Sequence, residues 1–266
     1  MMKVTNILRY PIKSCKGEYL NTTEITSKGL RYDRNWALFN SKWQVITGRQ
    51  YPQMLNIKVD IKDNNVTVIL DDQPQVTFKT NTINTTTINA KIFSYDIAGI
   101  SVGNNIDQWF SEYLLQEVHM LYTADQKRPV LSEHGGKKGD IISFADQAPI
   151  LLLSEESLTD LNRRLLAPIT FQRFRPNIVV SGCEAYAEDN WKEIKIGECT
   201  FEVIQKCERC IFTTIDPKTK IKHPQKEPLK TLATYRKNIN GGVDFGVHLV
   251  PKKLGEIHLS EEINVI

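Results

Sequence analysis

Lys206-Cys207-Glu208-Arg209-Cys210 is the segment best equipped for chemistry in this chain of 266 residues. Two thiols three positions apart can chelate a metal, form a redox pair, or divide the roles of ligand and core residue. A structural zinc site needs four ligands, commonly two close pairs. Cys15, Cys183, Cys199 and the five histidines are scattered, so zinc lacks its second pair. A thioredoxin-like pair must open a helix in a βαβ unit. Ile211-Phe212-Thr213-Thr214 after Cys210 instead reads as a strand up to Ile215, leading to the turn Asp216-Pro217-Lys218-Thr219. The third reading is one cysteine ligand to a soft or cofactor-held metal, and Arg209 beside it favours the thiolate that binds metal. On this segment alone two buried structural cysteines lead, because free cysteine often serves as a small core residue.

A second group is basic. Lys13-Ser14 lies in Tyr10-Pro11-Ile12-Lys13-Ser14-Cys15, Arg34 in Leu30-Arg31-Tyr32-Asp33-Arg34, and Arg175 in Phe174-Arg175-Pro176-Asn177. Each follows or abuts a turn, from which a side chain can point at a ligand. Arginine offers a planar fork suited to phosphate, lysine a point charge and serine a hydroxyl. Spacing alone does not bring the three segments together. Gly135, Gly136 and Gly139 within Ser132–Asp140 lack the P-loop spacing, so this stretch reads as a flexible surface loop near a domain boundary.

The elements that must position these residues are mostly strands. Asn6–Tyr10 is an apolar run stopped by Pro11, and Trp36–Asn40 with Trp43–Ile46 suggests a hairpin. Ile57–Ile61, Val66–Leu70 and Val76–Phe78 alternate around turns at Asp63-Asn64-Asn65 and Asp71–Pro74, the pattern of a meander. Thr80–Asn89, nearly all Thr and Asn, reads as a solvated strand or loop. Asn104-Asn105 can cap a helix over Ile106–Gln116, followed by a strand at Val118–Tyr122. Leu151–Leu153 reads as a buried strand, and Ser154 as the cap of a helix with Leu158, Leu161 and Leu165 inward. Strands follow at Ile178–Val180, Ile194–Ile196, Thr200–Ile204, Val247–Val250 and Ile257–Leu259, with a helix begun by Pro228 and carrying Leu229, Leu232 and Tyr235. The expected class is α+β, mostly β, since strand and helix do not alternate as a doubly wound sheet requires.

Composition narrows the function classes. Thirty-four Lys and Arg against 31 Asp and Glu leave +3, too little to argue for nucleic acid or membrane as main partner. No apolar run reaches the roughly 18–20 residues of a transmembrane helix, and no secretory signal opens the chain. Five sparse cysteines do not describe a disulfide framework. A cytosolic enzyme is the expectation.

Six segments taken in order resemble one family. They are Tyr10–Cys15; Gly29-Leu30 with Asp33–Trp36; Leu153–Leu158; Phe174–Val179; Ala187–Trp191; and Cys207–Pro217. The chain resembles the two-part MOSC proteins, among them the mitochondrial amidoxime-reducing components and bacterial N-hydroxylated-base reductases. The resemblance implies two β-barrel-like domains with a few helices packed on them, divided as 1–125 (MOSC N-terminal domain) and 126–266 (MOSC domain). It implies a molybdopterin cofactor, with Cys210 as molybdenum ligand and catalytic position. Lys13, Ser14, Arg34, Arg175 and Arg209 match positions that hold the pterin and its phosphate. His248 stands where the mitochondrial members carry tyrosine and is placed with the cofactor-binding residues, as a hydrogen-bonding partner of the pterin or a substrate oxygen, with a structural histidine as the alternative; Ala148 replaces a serine, so substrate range is expected to differ. The implied reaction is reduction of an N-oxygenated small molecule, with electrons from a separate ferredoxin, cytochrome b5-like protein or flavin reductase. The rival implied by the same resemblance is a sulfur or molybdenum-cofactor carrier that performs no turnover.

Overall fold

The computed structural model describes residues 1–71, 73–81 and 86–266. Asp72 of the expected turn and residues 82–85 of the Thr/Asn tract lie outside the described residues. The first half contributes β1 (Lys3–Arg9), β2 (Glu18–Leu20), β3 (Thr22–Thr26), β4 (Gly29–Leu30) and β5 (Trp36–Asn40). The meander forms as read, from β6 (Lys58–Lys62), β7 (Asn65–Ile69) and β8 (Val76–Lys79). Then come β9 (Thr87–Ile92), β10 (Tyr95–Ser101), helix α1 (Asn104–Leu114) and β11 (Val118–Tyr122). The cap of α1 is Gly103 rather than the Asn pair, because Asn104 already stands in the helix. Trp43–Ile46 meets β5 through a single bridge, Phe39 to Val45, instead of a full second strand.

The second half adds β12 (Arg128–Pro129), β13 (Ile141–Ile142), β14 (Ile150–Ser154), α2 (Glu155–Arg164), β15 (Ile178–Ser181), β16 (Glu193–Ile196) and β17 (Cys199–Glu208). A one-turn helix α3 (Leu229–Leu232), β18 (Asp244–Lys253), β19 (Gly255–His258) and β20 (Ile263–Val265) complete it. Eight strands join in the order β2-β1-β15-β14-β18-β17-β16-β20, so the first strands of the chain sit in one sheet with the last. All its pairings are antiparallel except β14 with β15. The fold is mostly β, and no closed barrel is found among the described residues.

The two largest apolar cores hold most of these layers. Ile7, Leu152, Ile178, Ile194, Phe201 and Leu249 pack on one side of the large sheet. Trp36, Met54, Val66, Phe110 and Met120 pack the meander, α1 and the β5–β11 pair together. Burial of such side chains contributes about 1.5–3 kcal/mol each. At α2 the hydroxyl of Ser154 accepts from the backbone N–H of Ser157 at 3.1 Å, the expected cap. Buried Glu188 accepts from both hydroxyls, at 2.8 Å from Ser157 and 2.9 Å from Ser154. Two of the six segments thus meet as one structural network.

One further expectation is corrected. Ile211–Thr214 is a 3-10 turn, not a strand. The hydroxyls of Thr213 and Thr214 donate to the carbonyls of Cys210 and Ile211 at 3.0 and 2.7 Å, and this local bonding overrides β-propensity. The glycine segment Ser132–Asp140 lies at the surface as read, with Ser132, Glu133 and Lys137–Gly139 exposed, while Gly135 and Gly136 stand close against other backbone. A Cβ at Gly135 would stand 2.6 Å from the Ile204 carbonyl oxygen, and one at Gly136 would stand 2.2 Å from that of Val130. Lys137 pairs with Glu202, and Asp140 with Lys252 at 2.8 Å.

Candidate functional site

A cleft of about 360 Å³ is lined by Leu151 early in β14, by Phe174–Arg175 and Asn177 ahead of β15, by His248 of β18, and by Cys207–Cys210 where β17 ends. Lys13, Ser14, Arg34, Arg175, Arg209, Cys210 and His248 all line it, so the structure brings together every site residue expected from the sequence. The volume falls in the range of small-molecule and cofactor sites.

Backbone bonds tie the two N-terminal turns to each other, and the side chain of Asn177 ties them to the C-terminal strands. The Lys13 N–H donates to Trp36 O at 2.8 Å, and the Arg34 N–H to Tyr10 O at 2.8 Å. Asn177, only 1% exposed, is the hinge pin. Its amide donates to Leu8 O at 3.1 Å, and its oxygen accepts from Arg34 Nη1 at 2.9 Å and from the Leu151 N–H at 3.2 Å. Asp33, also 1% exposed, accepts from the Tyr10 N–H at 2.8 Å and pairs with Arg34. Ser14, Arg34 and Arg175 share a left-handed backbone, with φ of 69°, 48° and 56°. Such conformations in non-glycine residues cost roughly 1–3 kcal/mol and concentrate where a site requires them.

The charge of the cleft is one-sided. Lys13, Arg34, Arg49, Arg173, Arg175 and Arg209 line it, against the carboxylates of Asp146 and Glu208. Four of these cations have carboxylate partners: Lys13 and Arg49 on Asp146, Arg34 on Asp33, Arg173 on Asp216. Arg175 and Arg209 have none among the described residues. The Arg175 guanidinium lies 4.2 Å from the Tyr10 ring centroid, and its Nη2 is buried with no hydrogen-bond partner. Burial, aggravated by Arg34 and resisted by Tyr10, pushes its pKa down to about 10. Arg209 donates from Nη1 to Cys207 Sγ and from Nη2 to Phe174 O, each at 2.7 Å, and its Nε is buried and unpartnered. Unpaired buried donors on cations are costly unless an anion completes them.

The two cysteines have different surroundings. Cys207 is buried, and burial raises its pKa while Arg209 pulls it back. Cys210 is exposed and free where β17 gives way to the 3-10 turn. The reading of two buried cysteines therefore fails at Cys210. No three His, Cys, Asp or Glu side chains converge as a metal cluster among the described residues. His248 is 7% exposed, midway along β18, opposite Gln205 of β17. Gln205 Nε2 lies 3.2 Å from His248 Nδ1. Burial, with Arg209 and His134 nearby, pushes the His248 pKa down to about 3, so the ring is neutral.

Sequence reasoning missed Arg49, Phe93, Tyr95, His134, Asp146 and Arg173 on the walls. Asp146 carries the largest consequence. Burial acts to raise its pKa, but Lys13, Arg49 and Arg34 together lower it to about 2. It holds Lys13, whose own pKa burial lowers and Asp146 supports. Arg128 fixes this loop by donating to Ser143 O and Ala145 O at 3.0 and 2.8 Å. Nothing in the local pattern of Phe144-Ala145-Asp146 marks it, because its role depends on a turn more than a hundred residues earlier.

Residues 1–117 match the MOSC N-terminal beta barrel domain, and residues 139–264 match the MOSC domain. The mitochondrial amidoxime-reducing component 1 of Danio rerio is 32% identical over 273 residues, covering 98% of this chain and 83% of that protein. The chain belongs to the MOSC family. The human amidoxime-reducing component 1 is 35% identical over 242 residues, covering 88% of this MOSC chain and 72% of its own length. The component 2 protein of Bos taurus is 32% identical over 276 residues, covering 98% and 82%. The cleft thus sits between segments drawn from both MOSC matches, with Lys13 and Arg34 from the first and Arg175, Arg209, Cys210 and His248 from the second.

Proposed function

We propose that this chain is a molybdenum-cofactor-dependent oxidoreductase that reduces N-hydroxylated compounds. The observation carrying the reading is that Arg175 and Arg209 each lack a carboxylate and keep one buried nitrogen without a hydrogen-bond partner, beside an exposed thiol in a cleft of cofactor size. That donor set fits a phosphate-bearing pterin whose metal accepts one further thiolate. Cys210 would supply that thiolate, Arg175 and Arg209 would take the phosphate, and Lys13, Ser14 and Arg34 would face the pterin. The cofactor, when bound, supplies the two-electron chemistry that removes oxygen from nitrogen. For a hydroxylamine the balance is R–NHOH + 2e⁻ + 2H⁺ → R–NH2 + H2O, the N–O bond breaking and oxygen leaving as water.

The chain's own groups do the rest. Asp146 keeps Lys13 in place, and Asn177 and Asp33 keep Arg34 aimed into the cleft. With Nδ1 facing the Gln205 amide nitrogen, neutral His248 carries its proton on Nε2, a donor for an oxygen of substrate or pterin. The names of the relatives support an N–O bond of an amidoxime as the substrate type, and the electrons would come from a separate donor protein.

Elemental analysis of wild type beside Cys210→Ser tests this. Because Cys210 is exposed, the exchange shifts stability by less than about 0.5 kcal/mol. Wild type should hold molybdenum one to one and reduce benzamidoxime with a viologen donor, while Cys210→Ser loses both metal retention and turnover. Zinc in place of molybdenum, or stoichiometric molybdenum without turnover under any donor, overturns the proposal, the latter in favour of a carrier.

A further inference from the structure

The segment after the Cys210 turn carries an unneutralised positive strap. From Pro217 to Lys230 the chain places Lys218, Lys220, Lys222, Lys226 and Lys230 against one acid, Glu227. Lys218, Lys222, Lys226 and Lys230 are exposed, and none of the five lysines pairs with a carboxylate among the ion pairs of the described residues. Some lysines elsewhere do so, as in Lys58 with Asp71 at 2.9 Å and Lys91 with Asp96 at 2.9 Å, and what sets this stretch apart is the density of its lysines. The two carboxylates at hand are engaged. Asp216 binds Arg173 at 2.7 Å and accepts the N–H groups of Lys218 and Thr219, and Glu227 accepts the Thr231 N–H at 3.1 Å. Amid the lysines Ile221 is 67% exposed.

The strap is held against the turn that carries Cys210. Lys222 bridges to Ile215, the His223 N–H donates to Thr214 O at 2.9 Å, and the Asp216 N–H donates to Ile221 O at 3.0 Å. An exposed apolar residue ringed by exposed cations is the composition of a small protein interface with a charged rim. Its position beside exposed Cys210 shortens any electron path from a docked carrier to the site. The overall charge of +3 is too small, and the strap too local, for a nucleic-acid track.

We infer that the strap from Pro217 to Lys230 is the docking surface for a small electron-carrier protein with an acidic face around its redox centre. The inference rests on the oxidoreductase reading above. A one-electron carrier is oxidised in two successive encounters per substrate, which together deliver the two electrons of the balance given there.

The test uses the triple variant Lys218→Glu/Lys222→Glu/Lys226→Glu, with a Gln version as its neutral companion. The probe is an acidic two-iron, two-sulfur ferredoxin. Binding is read by calorimetry at low and physiological salt, and benzamidoxime turnover is driven either by reduced methyl viologen or by ferredoxin with its reductase. Wild-type binding should weaken as salt rises through the range where the Debye length falls to about 8 Å. Charge reversal should weaken it at least about tenfold, neutralisation less, and ferredoxin-driven turnover should fall in step while viologen-driven turnover stays unchanged. Equal ferredoxin affinity in wild type and triple variant overturns the docking surface, as does no ferredoxin binding by wild type. Phosphatidylglycerol vesicles that bind wild type but not the variant, with ferredoxin inert, overturn it in favour of a membrane. Absence of viologen-driven turnover in wild type strikes the enzymatic reading instead, and the binding arm still decides the surface.

Discussion

Replacing Arg175 by methionine should leave the cofactor-free chain about as stable as wild type, or more stable, while abolishing its response to phosphate. The guanidinium is pushed from 12.5 to about 10, which corresponds to about 3 kcal/mol against the charged form. Opposing this are its contacts with the Tyr10 and Phe212 rings, at 4.2 and 5.6 Å, together worth about 1–2 kcal/mol. Methionine keeps much of the packing and leaves no donor unpaired. The expected change is therefore a gain of about 1–2 kcal/mol, less whatever packing methionine fails to restore, whereas emptying a packed buried position costs about 2–5 kcal/mol. The sign with pH follows from a base whose folded pKa is depressed. The cost is fully present while the group is charged and fades only above about 10, so both proteins should show parallel stability through neutrality. Phosphate at a hundredfold its Kd stabilises wild type by about 2.7 kcal/mol, roughly 5–10 °C for a chain of this size. Thermal unfolding with and without phosphate is the assay. An Arg175→Met protein that loses more than about 3 kcal/mol, or that gains as much from phosphate as wild type, refutes the view of this arginine as a waiting anion ligand.

Two further outcomes follow from the same geometry. Asn177→Leu leaves Leu8 O, the Leu151 N–H and Arg34 without their shared partner, and denaturant unfolding should show a loss of about 2–4 kcal/mol. Asp146→Asn should remove part of the acid sensitivity. Its folded pKa is depressed to about 2, so its contribution is present above the ordinary 3.8 and disappears as pH falls towards 2. The side chain is 46% exposed, which screens the effect, yet the gap between variant and wild type should close across that window in urea titrations.

The legible parts of the fold are those decided by local pattern. Ile57–Ile61 and Val66–Leu70 alternate because one face of the meander packs on α1 and the β5–β11 pair, and Ser154 announces α2 because a serine hydroxyl competes for a helix-end N–H. Where several partners compete, pattern misleads. Ile211–Thr214 has strand residues, but each threonine hydroxyl finds a carbonyl three residues back and closes a turn. Residue chemistry marks Lys13, Ser14, Arg34, Arg175, Arg209 and Cys210 as candidates, but that they meet in one site, and that His248 joins them, is legible through the resemblance and not through spacing. The left-handed backbone at Ser14, Arg34 and Arg175 has no signature in residues that ordinarily avoid it. His134 enters the cleft only because the glycine segment lies against the Ile204 carbonyl of β17.

The same contacts explain why the cleft cannot be assigned to one half. Lys13 and Arg34 leave turns whose backbone bonds run to Trp36 and Tyr10, but their side chains are fixed by Phe144, Asp146 and Asn177. Asn177 is in turn fixed by Leu8 and Leu151, on the two strands that flank β15 in the large sheet. Docking β1 beside β15 therefore sets the aim of Arg34 and the register of the sheet by one set of hydrogen bonds. An anion that bridges Arg175 and Arg209 closes the same assembly from the β17 side. Ligand retention and cohesion of the two segments are consequently coupled, and by linkage the free energy with which a bound anion favours the docked β1–β15 arrangement equals the free energy with which docking favours the anion.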